Sequence, residues 1–286
     1  MILLSSQWLT SGAGEVPEES APTCPNTDRT ILINGEMVPL GQFPCDPTLV
    51  GNGERFRATV IKKEKNLLYL EDFLQSDEID SIVDICSDPT RFDSSPLLMH
   101  SVTQANSYGT NDAVRTSSSC PLLFAYYYMP HMDKLKEQAP QLLPELELTW
   151  NITTRAANFL DVSPANIEPL QMLNYQPGQY YKPHHDHRGF YHLSNTQPDR
   201  ATTILIFLND VAAGGHLTFD RLGIQFQPRR GDAVVWSNLE QSTGKVDHDM
   251  VHQGLPPEEG SEKRAINLWV REEPFTDLKQ AAERQQ

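Results

Sequence analysis

A histidine and a carboxylate stand two positions apart in the segment Pro183-His184-His185-Asp186, and further histidines lie far downstream. Residues two apart on a β-strand point to the same side, so His184 and Asp186 can coordinate one metal ion from a single strand. Two histidines and one carboxylate can hold one face of an Fe(II) ion and leave the other face open for oxygen chemistry. The spacing therefore suggests a non-haem iron site, provided that the fold returns a third ligand to this pair.

Two downstream histidines, His248 and His252, are candidates for that third ligand. On a strand they would face the same way, so the spacing alone does not separate them. His185 and His187 should point away from His184, and we expect them at the surface or behind the ligands. A lone His-x-Asp pair is common by chance, so its surroundings decide whether it is a site.

Two cations, Lys263 and Arg264, follow on the next predicted strand. A 2-oxo acid that chelates iron through its oxo and C1-carboxylate oxygens needs a fixed cation for its far carboxylate. Either Lys263 or Arg264 can serve, although both are equally typical of solvated charges in a turn.

The composition excludes some classes of protein. The chain has 286 residues, of which 38% are hydrophobic and 21% charged, enough for one large domain or a domain with an extension. The net charge of −15 argues against a nucleic-acid partner. No apolar run approaches the about 18 residues needed to cross a bilayer, so we expect no membrane span.

Changes in composition divide the chain into four parts. Residues 1–55 are rich in proline, glycine and acids and predict an extended or disordered arm, with at most short strands such as 30–33. This arm is either a flexible leader or a lid or strand over the core, and in the second case Cys24 and Cys45 are candidates to tie it down. Residues 56–168 predict an α/β support region, residues 169–274 a β-core, and residues 275–286 a tail.

Periodicity predicts the elements of the two central parts. In the support region we expect strands at 58–61 and 67–70, a helix capped by Ser76, a mobile loop at 106–119, and helices near 121–138 and 144–160. The β-core has short strands with Gly and Pro turns, which is typical of an antiparallel sandwich or jelly roll. Its strands are expected at 170–175, 202–208, 216–219, 224–226, 233–236 and 265–270.

From Leu173 to Trp269 the chain resembles the catalytic domain of the prolyl 4-hydroxylases, in the iron(II)/2-oxoglutarate dioxygenase superfamily. The motifs that carry the resemblance are Tyr-x-x-Gly-Gln-x-Tyr-x-Pro-His-x-Asp at 175–186, Leu-Asn-Asp-Val-x-x-Gly-Gly at 208–215, Pro-x-x-Gly-Asp-Ala at 228–233, and His-x-Gly-x-Pro with a later Gly-x-Lys and Trp between 252 and 269. The Arg-Thr-Ser at 115–117 also looks like the family's loop near the substrate.

The resemblance implies an α+β fold, with a double-stranded β-helix (jelly-roll) core and supporting N-terminal helices. It also implies roles for individual residues. The implied iron ligands are His184, Asp186 and His252. Lys263 would pair with the far carboxylate of 2-oxoglutarate, and Tyr175 would hydrogen-bond to it. The positions that match residues around the target proline are Tyr181, Arg200, Trp269 and Arg115.

This chain departs from the family pattern at two places that affect the site. The family's Gly-Gly-x-Thr is replaced by Gly214-Gly215-His216-Leu217-Thr218, so Thr218 is the candidate hydroxyl donor to the cofactor, displaced by one position. Arg271 stands where a substrate-contacting histidine is usual, and it is therefore a candidate substrate contact.

The activity implied by the resemblance is hydroxylation of prolyl residues in a peptide or protein, with Fe(II), 2-oxoglutarate and O₂ and with ascorbate. Hydroxylation of a lysyl residue or a small molecule is the alternative within the superfamily. A zinc hydrolase with the same triad gives no role to Lys263 or Tyr175, and a non-catalytic jelly-roll binding module gives no role to the complete triad. The four cysteines permit two disulfides, and we expect the endoplasmic reticulum or secretory lumen, with the cytoplasm as the alternative.

Overall fold

The computed structural model describes residues 27–46, 56–87, 115–187 and 199–274, which contain two large antiparallel sheets and a layer of helices. In chain order the strands are β1 (Thr30–Ile33), β2 (Glu36–Pro39), β3 (Cys45–Asp46), β4 (Arg57–Lys62), β5 (Leu67–Glu71), β6 (Ser118–Pro121), β7 (Gln171–Tyr175), β8 (Tyr181–His184), β9 (Arg200–Phe207), β10 (Leu217–Phe219), β11 (Ile224–Phe226), β12 (Ala233–Ser237), β13 (His252–Gly254) and β14 (Lys263–Arg271). The helices are α1 (Ser76–Ile85), α2 (Ala125–Tyr128), α3 (Met132–Gln138) and α4 (Leu143–Leu160).

The last eight strands are divided equally between the two sheets. The major sheet has the order β3-β4-β5-β12-β9-β14-β7-β6, and the minor sheet has the order β2-β1-β11-β10-β13-β8. Strands β7, β9, β12 and β14 lie in the major sheet, whereas β8, β10, β11 and β13 lie in the minor sheet. This winding of one chain between two facing sheets is a double-stranded β-helix, so the predicted jelly-roll core in an α+β fold is confirmed.

Strand β9 explains how the major sheet serves two cores. Its side chains alternate between two apolar clusters: Leu205 and Phe207 face the space between the sheets, while Ile204 and Ile206 face the helices. Since both faces are covered, the strand is a continuous apolar run rather than an alternating one. The inner cluster also contains Phe219 of the minor sheet, so the space between the sheets is a packed interior that can hold a site away from bulk water.

The helices lie close to the expected positions, with local differences. Helix α1 starts after Gln75, whose backbone N–H donates to the Glu78 carboxylate, so the cap is one residue earlier than the predicted Ser76. Helix α4 ends at Asp161, which adopts a left-handed conformation with φ 54°. In the described residues no helix is long and apolar enough to cross a membrane.

The described part of the arm contributes β1 and β2 to the minor sheet and β3 to the edge of the major sheet. Strand β1 pairs with β11, and Ile31 is buried in the inner cluster. The strand predicted at 30–33 is therefore present, and a flexible leader does not describe residues 27–46. The rest of the arm, the C-terminal tail and most of the predicted loop at 106–119 lie outside the described residues.

Disulfide bonds tie the support region together. Cys86, at the end of α1, is bonded to Cys120 on β6, and Cys45 is also disulfide-bonded. Cys24, its partner in the sequence-based hypothesis, lies outside the described residues. The Cys86–Cys120 bond fixes the strand that follows Arg115, and this strand lies beside the site described next.

Candidate metal and cofactor site

The structure brings His184, Asp186 and His252 together between the two sheets. His184 on β8 and His252 on β13 are directly paired across the minor sheet, and their ring centres are 4.3 Å apart. Nε2 of each ring lies 3.7 Å from a carboxylate oxygen of Asp186, and one ligand atom from each residue falls within 4.8 Å of the others. In the described part of the chain this is the one group of three or more His, Cys, Asp or Glu residues arranged to bind a metal ion.

Backbone carbonyls set the tautomer of both histidines. Nδ1 of His184 lies 2.8 Å from the carbonyl oxygen of Lys182, and Nδ1 of His252 lies 3.0 Å from that of Met250. Because a carbonyl can only accept, Nδ1 carries the hydrogen and donates it. Nε2 of each ring therefore presents a lone pair toward Asp186, which is the arrangement that a metal-binding histidine requires.

Burial favours the neutral form of His184, and the surroundings of Asp186 favour the ionised carboxylate. Burial lowers the pKa of His184 to about 3, so its imidazole is neutral at ordinary pH. Burial opposes ionisation of Asp186, but the neighbouring His252, His184 and Arg200 and a hydrogen bond from Thr203 lower its pKa below the ordinary value. Neutral imidazole and ionised carboxylate are the forms that bind a divalent ion.

A second feature of the site is a cation without an acidic partner. Lys263 is only 2% exposed, and its Nζ lies 5.3 Å from the centre of the Tyr175 ring, with no hydrogen bond or ion pair in the part of the chain that is described. Burial lowers its pKa to about 7. An uncompensated ammonium in the interior is costly, so this lysine needs an anionic partner that the described residues do not provide.

Gly254 leaves space in front of this lysine. A Cβ added at Gly254 would lie 3.6 Å from the Lys263 Nζ and 3.7 Å from the Tyr175 hydroxyl. Gly254 is two residues beyond His252 on β13, about 7 Å along the strand. The pocket therefore has a cation and a hydroxyl at one end and the metal-binding triad at the other, which suits a short dicarboxylate that also chelates the metal.

The neighbouring cation, Arg264, points elsewhere. Its guanidinium lies 2.6 Å from the carboxylate of Glu262, and its side chain is 29% exposed. Adjacent strand residues face opposite sides, so only one of the two cations can enter the interior. The structure selects Lys263.

Tyr181 and Arg115 form one wall beside the triad. The Tyr181 ring stacks on His184 with centroids 3.5 Å apart, and the Arg115 guanidinium lies 5.8 Å from the centre of the Tyr181 ring. Thr116 holds this segment against β8, since its backbone N–H donates to the Tyr180 carbonyl. The Arg-Thr-Ser segment thus reaches the site as the resemblance implied.

Arg200 and Trp269 form another wall. The Arg200 guanidinium stacks 3.5 Å from the centre of the Trp269 ring and binds both carboxylate oxygens of Glu168, at 2.7 and 2.9 Å. The indole Nε1 of Trp269 is buried and finds no hydrogen-bond acceptor among the described residues. It is an unsatisfied buried donor next to the stacked Arg200.

Two predicted contacts, Arg271 and Thr218, have different outcomes. Arg271 is 1% exposed and its Nε lies 3.0 Å from Glu168, the carboxylate that also holds Arg200, and its contact with a substrate stays a prediction. Thr218 pairs with Gln253 on the face of β10 opposite to Phe219, and its hydroxyl donates to Asp220. Since Phe219 faces the interior with the metal-binding triad, Thr218 points away from the cofactor pocket.

The other histidines of the cluster lie behind or beside the site. His185 is buried and its Nε2 lies 2.9 Å from the backbone carbonyl of Asp247. His187 is near the carboxylates of Asp199 and Glu272. His248 lies in a short 3₁₀ helix (His248–Met250) that precedes β13, so the structure selects His252 as the third member of the triad.

Sequence reasoning missed the residues that support Asp186. The Thr203 hydroxyl lies 2.7 Å from Asp186 Oδ2, and Asn238 and Trp236 connect to Thr203 from behind. The available signal in the sequence was a polar residue beside an apolar run at each place, Thr203 before Ile204 to Phe207 and Asn238 after Ala233 to Trp236, since polar side chains that become buried there require partners.

Comparison with known proteins gives the same assignment for this part of the chain. Residues 170–271 match the family model described as the 2OG-Fe(II) oxygenase superfamily. This range contains every residue of the triad and of the cofactor pocket.

Among characterised sequences, the chain is 36% identical over 116 residues to a putative prolyl 4-hydroxylase of Acanthamoeba polyphaga mimivirus, covering 39% of this chain and 48% of that protein. It is 35% identical over 132 residues to the human prolyl 4-hydroxylase subunit alpha-3, covering 44% of this chain and 23% of the subunit. The chain thus matches less than half the length of these relatives. Among solved structures, the viral collagen prolyl hydroxylase of Paramecium Bursaria Chlorella virus-1 aligns with a TM-score of 0.48 and 20% identity, over 72% of this chain and 95% of that one.

Proposed function

We propose that this chain, through residues 170–271, is a member of the 2OG-Fe(II) oxygenase superfamily and hydroxylates prolyl residues of a peptide or protein with Fe(II), 2-oxoglutarate and O₂. The observation that carries the proposal is the pairing of two features in one interior. One is the triad His184, Asp186 and His252, and the other is Lys263 beside Gly254, a buried cation with no acidic partner in the described ranges of the chain.

Each group in the pocket has a defined task in this reaction. His184, Asp186 and His252 would hold the metal from one side and leave the opposite side for cofactor and O₂. Lys263 and the Tyr175 hydroxyl would bind the far carboxylate of 2-oxoglutarate, the first as a charge-assisted donor. The bound iron and 2-oxo acid supply the oxidising chemistry that turns a C–H bond into C–OH, with succinate and CO₂ as the other products.

The remaining residues would position the substrate and exclude water. Tyr181 packs flat on His184 and shields the metal side of the cleft. Arg200, clamped by Glu168, holds the Trp269 ring by stacking. Trp269 Nε1 lacks an acceptor among the described residues, and a peptide carbonyl that displaces its cover would supply one, which supports a peptide substrate over a small apolar molecule.

A hydrolytic zinc site fits these residues less well. Such a site needs the triad and an activated water, but it leaves the buried Lys263 without an anionic partner. Hydroxylation of a lysyl residue or a small molecule remains the alternative within the superfamily. The triad, Lys263 and Tyr175 would bind the metal and the cofactor, and they do not determine which substrate is hydroxylated. The involvement of ascorbate stays a prediction.

The test is incubation with Fe(II), 2-oxoglutarate, ascorbate and a panel of proline-containing peptides. We expect succinate release together with a peptide mass gain of one oxygen atom, located on proline by fragmentation. The variants His252→Ala and Asp186→Ala should lose both signals, whereas the control His248→Ala should retain them. Succinate release with oxygen gained on lysine, or on no peptide at all, would replace the prolyl assignment, and full activity of both triad variants would refute the iron site.

We also propose that the protein works in an oxidising compartment such as the endoplasmic reticulum or the secretory lumen. Its support is the Cys86–Cys120 disulfide together with a bonded Cys45, since such bonds are rare in the reducing cytosol. Mass spectrometry of the protein purified from its own cells without reductant is the test. Free thiols at these positions would contradict it.

A further inference from the structure

A line of buried polar side chains runs from the interior of the major sheet to Asp186. The indole Nε1 of Trp236 lies 3.1 Å from Asn238 Oδ1, and Asn238 Nδ2 lies 3.1 Å from the Thr203 hydroxyl. That hydroxyl lies 2.7 Å from Asp186 Oδ2. Trp236, Asn238 and Thr203 are each at most 1% exposed, so water cannot replace any of these contacts.

The direction of every hydrogen bond in this line follows from its first member. An indole N–H can only donate, so the side-chain oxygen of Asn238 must face Trp236. The amide nitrogen of Asn238 then faces Thr203 and donates to its hydroxyl oxygen. The hydroxyl has a single hydrogen, and the remaining acceptor within reach is Asp186 Oδ2.

The line is built on a rigid base. The backbone N–H of Asn238 donates to the Ala201 carbonyl at 2.7 Å, and its own carbonyl accepts from the Asp247 N–H at 2.9 Å. The Trp236 ring also packs at 4.7 Å from the His252 ring, so the same tryptophan supports a second member of the triad. Side chains held in this way keep the geometry of the groups they touch.

We propose that Trp236, Asn238 and Thr203 are positioning residues that form a one-way hydrogen-bond relay, which occupies Asp186 Oδ2 and reserves Oδ1 as the metal ligand. Oδ1 has no hydrogen bond among the described residues, whereas Oδ2 receives the whole relay. A carboxylate bound through both oxygens would take one further position on the metal, a position that cofactor and O₂ require. This inference rests on the metal site of the proposed function. It adds that the hydrogen bonds to Oδ2 would leave Asp186 to bind the metal through Oδ1 alone.

The decisive variant is Thr203→Val, which keeps the shape of the side chain and removes the only hydrogen offered to Asp186. The matched control is Thr202→Val, the same change one residue earlier, on the face of β9 shared with Ile204. Thr203→Ser restores the hydroxyl and serves as the conservative rescue. Thr203→Ala is a second loss variant that cannot clash, in case the valine hinders folding.

The first readout is Mn(II) binding to the metal-free protein by calorimetry, in the absence of 2-oxoglutarate. We expect Thr203→Val and Thr203→Ala to bind about 10- to 100-fold more weakly, the usual effect of removing a partner of a metal ligand. The Mn(II) affinity of Thr203→Ser and of Thr202→Val should stay within about threefold of the wild-type affinity, which is small compared with the loss expected for the other two variants. The second readout is the visible spectrum of the Co(II) form, which reports coordination number and should change only in the two loss variants.

The role of Asn238 is tested by combining substitutions. If Asn238 acts through Thr203, the loss caused by Asn238→Leu should shrink when Thr203→Val is already present. Fully additive effects would remove Asn238 and Trp236 from the relay.

Unchanged Mn(II) affinity and an unchanged Co(II) spectrum in both loss variants would overturn the relay while leaving the proposed function intact. Failure of the wild-type protein to bind Mn(II) would instead overturn the metal site on which both depend.

Discussion

Replacing Lys263 by methionine should have opposite effects on cofactor binding and on stability. The side chain is buried, its Nζ has no acidic partner among the described residues, and burial lowers its pKa to about 7. Methionine keeps similar length and apolar character but cannot bind a carboxylate. The variant therefore loses the cofactor's partner and also loses the cost of an unpaired buried charge.

The loss of cofactor affinity can be worked from the contact. Removing one partner of a buried, hydrogen-bonded charge pair costs about 2–5 kcal/mol, which corresponds to roughly 30- to 5000-fold in Kd. Arg264→Met is the control at the next position, because that guanidinium is paired with Glu262 away from the interior. The measurement is 2-oxoglutarate binding by calorimetry in the presence of Mn(II).

The pH dependence of stability and of 2-oxoglutarate affinity tests the role of Lys263 independently. Because the pKa of Lys263 in the folded protein lies below its unfolded value, the unfolded chain binds more protons between about pH 7 and 10.5. The unfolding free energy of the cofactor-free wild type should therefore rise with pH across this window relative to Lys263→Met. Binding of 2-oxoglutarate needs the charged lysine, so wild-type affinity should fall above about pH 7 by up to about tenfold per pH unit, while the variant's weak affinity stays flat.

Two neighbouring groups do not produce the same profile. Burial raises the pKa of Tyr175, which keeps the phenol neutral through most of this window. Burial and the charge of Lys263 lower the pKa of His216, so its ring is already neutral above pH 7. Unchanged 2-oxoglutarate affinity in Lys263→Met, or a loss equal to that of Arg264→Met, would refute the assignment of Lys263.

Three further predictions concern other parts of the molecule. Gly254→Ala should fold normally, since the added Cβ meets only ordinary contacts, yet it should weaken 2-oxoglutarate binding measured by calorimetry because it fills the cofactor pocket; equal affinity would place the cofactor elsewhere. Arg29→Ala should lower the unfolding free energy by about 3 kcal/mol, because it leaves the buried Asp232 carboxylate without its cation at 2.6 Å; denaturant titration measures this, and a loss below that of Arg57→Ala would show that the arm is not anchored there. Cys86→Ser with Cys120→Ser should cost about 4 kcal/mol by the loop-entropy relation for a separation of 34 residues; reduction that leaves the melting temperature unchanged would contradict this.

The chemistry of the site was readable from local spacing, and so was most of the β-core. His184 and Asp186 belong to one strand and the turn after it, so the two-residue period is enough to place them on one side. Strands such as Ile224–Phe226 were found at their observed bounds, because short apolar runs between glycines leave few alternatives. The cap of α1 was displaced by one residue, since Gln75 and Ser76 are both able to precede the same apolar pattern.

Contacts between distant strands were not readable in this way. Whether Lys263 or Arg264 enters the interior depends on the register of β14 against β7, and a shift of one residue would exchange them. Thr218 was misplaced for the same reason, because one extra residue before β10 turns its hydroxyl to the outer face. The ion pair of Arg271 with Glu168 was not readable either, because Glu168 precedes β7 and lies far from Arg271 in sequence.

For this protein the sequence by itself determined which groups are present, their local spacing, and therefore the kind of metal and cofactor that they suit. Spacing alone left two adjacent cations and two histidines open, and the family resemblance of the sequence pointed to Lys263 and His252. The tertiary structure places these two residues in the interior, and it alone shows which oxygen of Asp186 is occupied. The physical reason is that spacing along one strand is set by covalent geometry, whereas contacts between strands depend on register and on the packing of the whole interior.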